Sequence, residues 1–233
     1  MQGKRIAILG GTSGIGLAVA QRAARGGAEV IVVSSTRARV DAAARQLGAT
    51  GYTADLGDPG AIAALFAQLG ELDHLVYTAG GPLALAPLAT LDLDAAHAFF
   101  EVRYFGALAA ARHARLRTGG SITLTGGTAG IRPHAGWALG ASICGAMEAL
   151  TRALAVELAP LRVNIMVPGF VDTNLWAPMA ADAKAEMFRA SAAALPVKHV
   201  GTADEVAGAY LALMTNPYIT GQRLVVDGGG TLV

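Results

Sequence analysis

Short runs of branched apolar residues alternate along the chain with longer, alanine-rich amphipathic segments. Continuous apolar runs are typical of parallel strands covered by helices on both faces, and the alternation is typical of βαβ units. The pattern predicts a seven-stranded parallel sheet flanked by helices, which is a Rossmann-like, doubly wound α/β fold. The clearest runs are RIAIL, EVIVVS, HLVYTAG, SITLT, LRVNIMV and RLVVD.

The segments between these runs predict helices. No linker rich in proline, glycine or serine interrupts the series, so we expect a single domain over residues 1–233. The stretch 172–199 contains Trp176 and no strand pattern, and we expect it to form a lid over a ligand crevice. The predicted helices are GIGLAVAQRAARG, RVDAAARQLG, DPGAIAALFAQLG, 92–117, 136–159 and 203–214.

Composition narrows the class of protein. Of 233 residues, 53% are hydrophobic and 15% are charged, so the chain can bury a large core. The 18 basic residues against 17 acidic ones give a net charge of +1, and the arginines are scattered along the chain. We therefore expect no nucleic-acid partner.

Cysteine and histidine usage limits metal and disulfide chemistry. Cys144 is the single cysteine, and the five histidines show no ligand spacing, so we expect neither a disulfide nor a metal site. The first residues lack the pattern of a signal peptide. Glycines and prolines interrupt the longest apolar stretch, 75–91, which excludes it as a membrane span. The expected protein is soluble and cytoplasmic.

A glycine-rich turn follows the first predicted strand and precedes a predicted helix. Glycines in that context allow a tight turn and let backbone N–H groups approach a pyrophosphate at the helix N-terminus. A turn that only required positive φ angles would account for one or two glycines, whereas this turn has four. It predicts dinucleotide binding. The turn reads Gly10, Gly11, Thr12, Ser13, Gly14, Ile15 and Gly16.

The end of the second strand indicates which dinucleotide is bound. An NAD enzyme usually has a carboxylate there, whereas a 2′-phosphate needs basic and hydroxyl groups. No carboxylate stands between the end of this strand and Asp41, so NADP(H) is favoured over NAD. The alternative is that Arg37 is a solvated residue in the first turn of the next helix. The side chains at this position are Ser34, Ser35, Thr36, Arg37 and Arg39.

Together these motifs resemble the short-chain dehydrogenase/reductase family over essentially the whole chain. GGTSGIG is similar to the family's TGxxxGIG turn with Leu9 in place of threonine, and YTAG is similar to NNAG with Thr78 for the second asparagine. LRVNIMVPGFVDT and ITGQRLVVDGG match two further family segments. The resemblance implies the family fold, NAD(P)(H) binding and assembly as a homodimer or homotetramer.

The resemblance also implies roles for residues outside the turn. ADL places Asp55 where the family's aspartate contacts the adenine, and PGFVDT is the segment that borders the nicotinamide. The residues expected to bind the cofactor are Gly10, Thr12, Ser13, Gly14, Ile15, Gly16, Ser34, Ser35, Thr36, Arg37, Asp55, Leu56, Thr78, Ala79, Gly80, Pro168, Gly169, Val171 and Thr173.

The catalytic positions depart from the family pattern. The family's proton relay consists of an asparagine, a serine and a Tyr-x-x-x-Lys pair. The matching positions here are Arg103, Gly126 or Gly127, and the pair Leu139 and Ile143. The chain thus resembles a divergent member that lacks all four residues. Because positions four apart share a helix face, we expect Leu139 and Ile143 to line the substrate pocket with hydrocarbon.

Other residues could supply chemistry in place of the relay. Arg103 could stabilise developing negative charge, or it could pair with Glu101 or with a cofactor phosphate. His134 could donate a proton, or it could be an ordinary surface residue of its loop. Trp137 and Trp176 are expected to shape the pocket, whereas the threonines beside the glycine pair and the single cysteine are expected to be structural.

Two functions remain open at this point. The first is an NADP(H)-dependent oxidoreductase with a non-standard active site that reduces an apolar carbonyl, imine or activated alkene. The second is a catalytically inactive NADP(H)-binding pseudoenzyme that acts as a sensor or as a partner subunit. Both functions need the glycine turn, so only the residues of the catalytic site can distinguish them.

Overall fold

The structure is a computed structural model, and it describes residues 1–81, 83 and 85–233. A seven-stranded, fully parallel sheet has the order β3-β2-β1-β4-β5-β6-β9, which confirms the predicted fold class. A second, short sheet pairs β7 with β8. The strands are β1 (Arg5–Leu9), β2 (Glu29–Ser34), β3 (Thr50–Thr53), β4 (Glu71–Tyr77), β5 (Arg115–Thr125), β6 (Arg162–Pro168), β7 (Val171–Asp172), β8 (Gly201–Thr202) and β9 (Arg223–Val226).

Helices cover both faces of the main sheet. A π-helical turn, Glu101–Phe105, joins α4 to α5, and short 3-10 turns occur at Leu88–Thr90, Thr128–Gly130 and Asn174–Trp176. The α-helices are α1 (Gly14–Arg25), α2 (Arg37–Leu47), α3 (Pro59–Leu69), α4 (Leu93–Phe100), α5 (Gly106–His113), α6 (Ala138–Glu157), α7 (Ala181–Ala194) and α8 (Ala203–Thr215).

Each face of the sheet has its own hydrophobic core. Alternate residues of β1 point to opposite faces, so Ala7 and Leu9 pack beneath α3, α5 and α6, while Ile6 and Ile8 pack beneath α1 and α8. The strand order reverses between β1 and β4. In open α/β sheets such a reversal opens a crevice at the carboxyl ends of the strands, which is where ligands bind.

Two buried polar groups on β4 connect the central strands. Asp73 accepts hydrogen bonds from the backbone N–H of Arg5 and from Arg117, at 2.9 Å each. Burial acts to raise the pKa of Asp73, but the Arg5 N–H, Lys4 and Arg117 together hold it below its usual range. His74 contacts the Ser121 hydroxyl through Nδ1 at 2.9 Å, and burial lowers the pKa of His74 to about 4.

The single helix predicted over residues 92–117 was wrong in two respects. The π turn interrupts it, and it ends at His113, because Arg115 already pairs with Glu71 of β4 as the first residue of β5. An Arg117–Asp73 ion pair of 2.9 Å adds to this pairing. The strand pairing thus outweighs the good helix propensity of the segment ARLR.

The segment 172–199 also contains more regular structure than the sequence indicated. Asp172 belongs to β7, so the expectation of no strand was wrong at this residue. The segment then forms a 3-10 turn and α7. Lys184 on α7 donates to Asp172 at 2.8 Å, which ties the helix back to the strand.

Among the described helices, α6 alone is long and apolar enough to cross a membrane, with 20 residues and a mean hydropathy of 1.3. Its buried residues Met147, Leu150 and Leu154 pack into the core beneath the sheet. We therefore interpret α6 as the core helix of a globular domain.

Candidate active site

The glycine turn after β1 fits so closely against the end of β4 that side chains are excluded. Gly10 has a φ of +91°, and a Cβ atom there would lie 2.7 Å from both the Thr78 hydroxyl and the Ala79 nitrogen. A Cβ at Gly16 would collide with the carbonyl of Gly10. Only glycine meets these conditions, so the turn brings the motifs after β1 and β4 into direct contact.

The turn also leaves the N-terminus of α1 open. Ser13 precedes the helix but its hydroxyl makes no capping hydrogen bond, and the first turn contains no acidic residue. The backbone N–H groups there are free to bind an anion, which the helix dipole favours. Thr173 lies beside this turn, because a Cβ at Gly14 would be 3.3 Å from its Cβ. Residues far apart in sequence thus form one cleft.

The end of β2 presents the side chains expected to select the cofactor. Arg37 is the first residue of α2, and its Nε donates to Asp41 at 2.9 Å. Its side chain is 79% exposed, so the alternative that Arg37 is a surface residue of the helix describes this structure. An exposed ion pair is worth less than about 1 kcal/mol, so the guanidinium can turn toward a phosphate at little cost.

Asp55 follows β3 at the same edge of the sheet. Its carboxylate accepts a hydrogen bond from the backbone N–H of Gly57 at 2.9 Å, which fixes the turn between β3 and α3. Asp55 is exposed and the neighbouring Leu56 is buried. The carboxylate therefore stays accessible beside the cleft.

The π turn positions Arg103. Tyr77 donates its hydroxyl hydrogen to the Val102 carbonyl within this turn. The Arg103 guanidinium donates to the Gly81 carbonyl and lies over the Phe99 ring, with 4.5 Å between Cζ and the ring centroid. Among the described residues, Arg103 makes these contacts and no ion pair with Glu101, which was the alternative that the sequence left open. Burial lowers the pKa of Arg103, and Nε has no hydrogen-bond partner in the described part of the chain.

A cavity of about 150 Å³ opens at this edge of the sheet. It includes the predicted residues Arg103, His134, Trp137, Ile143 and Trp176, and both glycines at the predicted serine position. The described lining residues are Leu83, Leu85, Phe99, Arg103, Gly126, Gly127, Thr128, Ala129, Arg132, His134, Trp137, Gly140, Ile143, Cys144, Pro168, Gly169, Phe170, Leu175 and Trp176.

Leu139 is not among the described residues that line this cavity, so its place in a substrate pocket stays a prediction. It packs into the core on a stripe that continues through Ile143 and Met147. The positions four apart that line the cavity are Gly140 and Cys144, one residue further along α6. One residue rotates a helix by about 100°, so Gly140 and Cys144 lie on a different face from Leu139, and Ile143 contributes to both the core and the cavity.

Cys144 therefore belongs to the cavity as well as to the packing of α6. A Cβ at Gly127 would lie 3.3 Å from its Sγ, which places the thiol against the end of β5. Burial raises the pKa of the Cys144 thiol, so the group is protonated at neutral pH. The thiol offers little acidity to a substrate.

His134 and Trp137 lie on the loop that precedes α6. His134 is exposed at the mouth of the cavity, with its ring centroid 5.9 Å from that of Trp137. Phe170, which sequence reasoning missed, also lines the cavity and lies 6.4 Å from Trp137 between ring centroids. Its position directly after the Pro-Gly that ends β6 was the available signal.

The two threonines near the glycine pair differ. Thr125 donates its hydroxyl hydrogen to the Tyr77 carbonyl at 2.7 Å and lies 2.7 Å from the Tyr210 hydroxyl, which is a structural use. Thr128 lines the cavity. Its hydroxyl is the nearest in sequence to the glycine pair among the lining residues.

Comparison with known proteins places this architecture in a family. The family model described as enoyl-(acyl carrier protein) reductase matches residues 10–231. The short-chain dehydrogenase/reductase ucsE of Acremonium sp is 36% identical, with 100% of this chain and 97% of that protein covered. Human 3-oxoacyl-[acyl-carrier-protein] reductase is 33% identical, with 99% of each chain covered.

Solved structures agree with this result. A small-chain dehydrogenase in complex with NADPH superimposes with a TM-score of 0.89 at 35% identity, covering all of both chains. MalC Reductase/Diels-Alderase from Malbranchea aurantiaca superimposes with a TM-score of 0.94 at 29% identity, covering 100% of this chain and 98% of that one. The chain belongs to the short-chain dehydrogenase/reductase family, a family of oxidoreductases.

Proposed function

We propose that this protein is an NADP(H)-dependent reductase whose substrate cavity lacks the family's proton relay and relies on the guanidinium of Arg103 instead. The preferred substrate is an apolar compound with an alkene activated by a conjugated carbonyl. A simple carbonyl is the next choice, and an imine is the least favoured.

The cleft fits a dinucleotide. The glycine turn excludes side chains, α1 presents uncapped N–H groups, and Ser34 to Arg37 supply hydroxyl and basic groups for a 2′-phosphate. Similar proteins crystallised with NADPH or NADP support the choice of cofactor. When bound, NADPH supplies the hydride. Pro168, Gly169, Val171 and Thr173 would border its nicotinamide.

The relay is missing from the cavity in this proposal. Gly140, Ile143 and Cys144 are the residues of α6 that line the cavity, and Gly126 and Gly127 line it after β5. The resemblance to the family assigns Arg103 to the position of the relay asparagine. Glycine has no exchangeable side-chain proton, and the thiol has a raised pKa. Loss of a positioned general acid typically costs about 10²–10⁴ in rate.

The single observation that carries the proposal is the charge of the cavity. Arg103, Arg132 and His134 line it, and no aspartate or glutamate is present among the lining residues that the structure describes. Such a site favours negative charge that develops during the reaction and disfavours a cationic substrate such as an iminium ion. Arg103 is the innermost of these groups, since Arg132 and His134 are exposed.

An activated alkene suits this arrangement. Addition of a hydride to the β-carbon breaks the C=C π bond and leaves an enolate, whose negative charge lies largely on the carbonyl oxygen. The Arg103 guanidinium can stabilise that oxygen without giving up a proton. A proton from water or from His134 then reaches the α-carbon, so the hydride and the proton together saturate the bond. A ketone would instead form a more basic alkoxide, which needs its proton sooner.

The test is NADPH consumption with three acceptors of one carbon skeleton: an enone, the saturated ketone and the cyclic imine. We expect the enone to have the highest kcat/KM. Arg103→Met should lower that value by about 10²–10³, the typical effect of removing one oxyanion donor. Arg103→Lys should restore part of it, because the charge remains but the planar fork does not. An imine that is consumed faster than the enone would overturn the charge argument.

The absence of a positioned acid also supports a second candidate, a catalytically inactive NADP(H)-binding protein that acts as a sensor or as a partner subunit. Both candidates predict that titration calorimetry detects NADPH binding. They differ in turnover: the second predicts that no acceptor of the three classes accelerates NADPH consumption above the buffer rate.

Two further expectations belong to the reductase proposal. We propose that residues 172–199 act as the lid of the cavity, since Leu175 and Trp176 of this segment line it.

We also propose a cytoplasmic homodimer or homotetramer that associates through the central helices, where Phe105 and Leu108 are 48% and 38% exposed. A solution mass equal to that of one chain at micromolar concentration would contradict the oligomer.

A further inference from the structure

Aromatic rings form a continuous row along the cavity and into the segment behind it. Trp137 and Phe170 meet at 6.4 Å between ring centroids, and Phe170 stacks on Trp176 at 5.6 Å with an interplanar angle of 20°. Phe188 of α7 lies edge-on to Trp176 at 6.3 Å. Trp137, Phe170 and Trp176 all line the cavity. We call these three residues the aromatic row.

The aromatic row is held in place from behind. Trp176 is 7% exposed, and its indole N–H donates to the Val171 carbonyl at 3.0 Å. Because that hydrogen bond uses the only polar atom of the indole, Trp176 offers the cavity carbon alone. Phe188 also packs edge-on against Trp176. A surface fixed in this way loses little freedom when a ligand binds to it.

Such a surface distinguishes ligands by shape and by charge distribution. Aromatic rings attract one another in offset-stacked and edge-to-face arrangements because each ring has a negative face and a positive edge. A planar ligand ring can continue the row at these spacings. A saturated ring of similar size is thicker and has no such charge distribution, so it gains only hydrophobic contact.

We propose that the cavity takes a planar aromatic substrate, whose ring continues the aromatic row while the carbonyl oxygen of its hydride-accepting group meets Arg103. This proposal rests on the reductase function proposed above and names the substrate class for the same cavity. It is tested by binding, without turnover, so that its failure and the failure of catalysis give different results.

The probes are benzylideneacetone and its cyclohexyl analogue, which share one enone and differ only in the ring. Their dissociation constants are measured by titration calorimetry with the whole protein, with and without saturating NADP⁺, which cannot donate a hydride. We expect the phenyl compound to bind about tenfold more tightly, the effect of one to two aromatic contacts of ordinary strength. The preference should appear even if no NADPH is consumed with either probe.

Variants assign the preference to the aromatic row. Trp137→Leu should reduce the tenfold preference to about twofold or less, and Trp137→Phe should retain most of it, because a ring remains. The control is Tyr218→Leu, which removes an aromatic ring that is 98% exposed and lies outside the cavity lining. It should leave both dissociation constants unchanged.

Three results would overturn the proposal. The first is equal or tighter binding of the cyclohexyl compound, or no binding of either probe. The second is an unchanged preference in Trp137→Leu. The third is a loss of NADP⁺ affinity in Trp137→Leu as large as the loss for the phenyl probe, which would assign the aromatic row to the cofactor ring. A protein that shows the ring preference but consumes no NADPH would refute the reductase function alone.

Discussion

The glycine turn and the cavity that Arg103 lines are close together at one edge of the sheet, yet they are built from different parts of the chain. The turn is backbone: its function depends on φ angles and close approaches that only glycine allows. The cavity is made of side chains from several elements, so each residue matters only through the direction in which it points. A site made of backbone can therefore be predicted from the sequence. A site made of side chains depends in addition on how each helix is rotated about its axis.

The largest effect should come from closing the turn. Gly10→Ala places a Cβ atom 2.7 Å from the Ala79 nitrogen and adds a methyl group at positive φ, so we expect NADPH affinity to fall at least about a thousandfold by calorimetry. Gly48→Ala is the matched control, because its φ is +62° but, within the described part of the chain, no atom lies within 4 Å of the added Cβ. It should cost stability and leave affinity intact. Equal losses in both variants would make strain alone the cause.

The next prediction concerns the pH dependence of stability and β4, the strand at whose end the glycine turn and the cavity meet. His74 on β4 has its pKa lowered to about 4 by burial and by Arg162, against 6.5 for the free group. Between these values the unfolded chain binds a proton that the folded chain does not. The free energy of unfolding should therefore fall by up to about 3 kcal/mol as pH decreases through this window, and stay level above it.

Urea denaturation at a series of pH values measures this loss. His74→Asn does not titrate, so the difference in unfolding free energy between wild type and variant should be constant above about pH 7 and shift in favour of the variant by up to about 3 kcal/mol toward pH 4. A constant difference across the series would show that His74 does not control the acid limit of stability.

A third change moves the guanidinium without altering its chemistry. A Cβ atom at Gly80 would lie 2.5 Å from Nη1 of Arg103, which is the flexible end of a side chain. Gly80→Ala should therefore fold normally, displace the guanidinium, and lower kcat/KM for an enone about tenfold with little change in NADPH affinity. The control is Gly81→Ala, where no atom of the residues that the structure describes lies within 4 Å of the new Cβ. A loss of cofactor affinity in Gly80→Ala would assign this position to the turn instead.

The smallest effect concerns the 2′-phosphate of the cofactor. Asp41→Ala removes the exposed partner of Arg37, so NADPH affinity should rise about twofold to threefold, within the range of an exposed ion pair. Arg37→Ala should lower NADPH affinity and leave NADH affinity unchanged. If NADH and NADPH respond equally to Arg37→Ala, the selection of the cofactor lies elsewhere on the chain.

The parts that sequence reasoning predicted are those fixed by pattern or by backbone. The apolar runs gave the parallel sheet, because strands buried on both faces have no polar alternation. The start of β5 was missed because Arg115 to Arg117 have good helix propensity, and only their partners Glu71 and Asp73 on β4 show that they form a strand. That information is non-local.

The cavity-lining positions Gly140 and Cys144 of α6 were missed for a related reason. Leu139, Ile143 and Met147 form an apolar stripe with the spacing of a buried face, and a stripe of this kind does not show whether it faces a core or a ligand. In the structure Ile143 contributes to both, whereas Gly140 and Cys144 are the small residues that leave room for the cavity. The room beside a residue depends on how the neighbouring elements pack, so it cannot be predicted from the type of that residue.

The π turn at Glu101–Phe105 has a consequence for how this protein can diversify. The helix that follows is anchored independently, since Gly106 packs against the Leu56 carbonyl and the Tyr77 hydroxyl, and Ala107 and Ala110 are fully buried. Residue 103, within the π turn, can therefore be changed by a single substitution while α5 keeps its position. Arginine at 103 is one outcome of that freedom, and a library restricted to this position would explore new reactivity while sparing the scaffold.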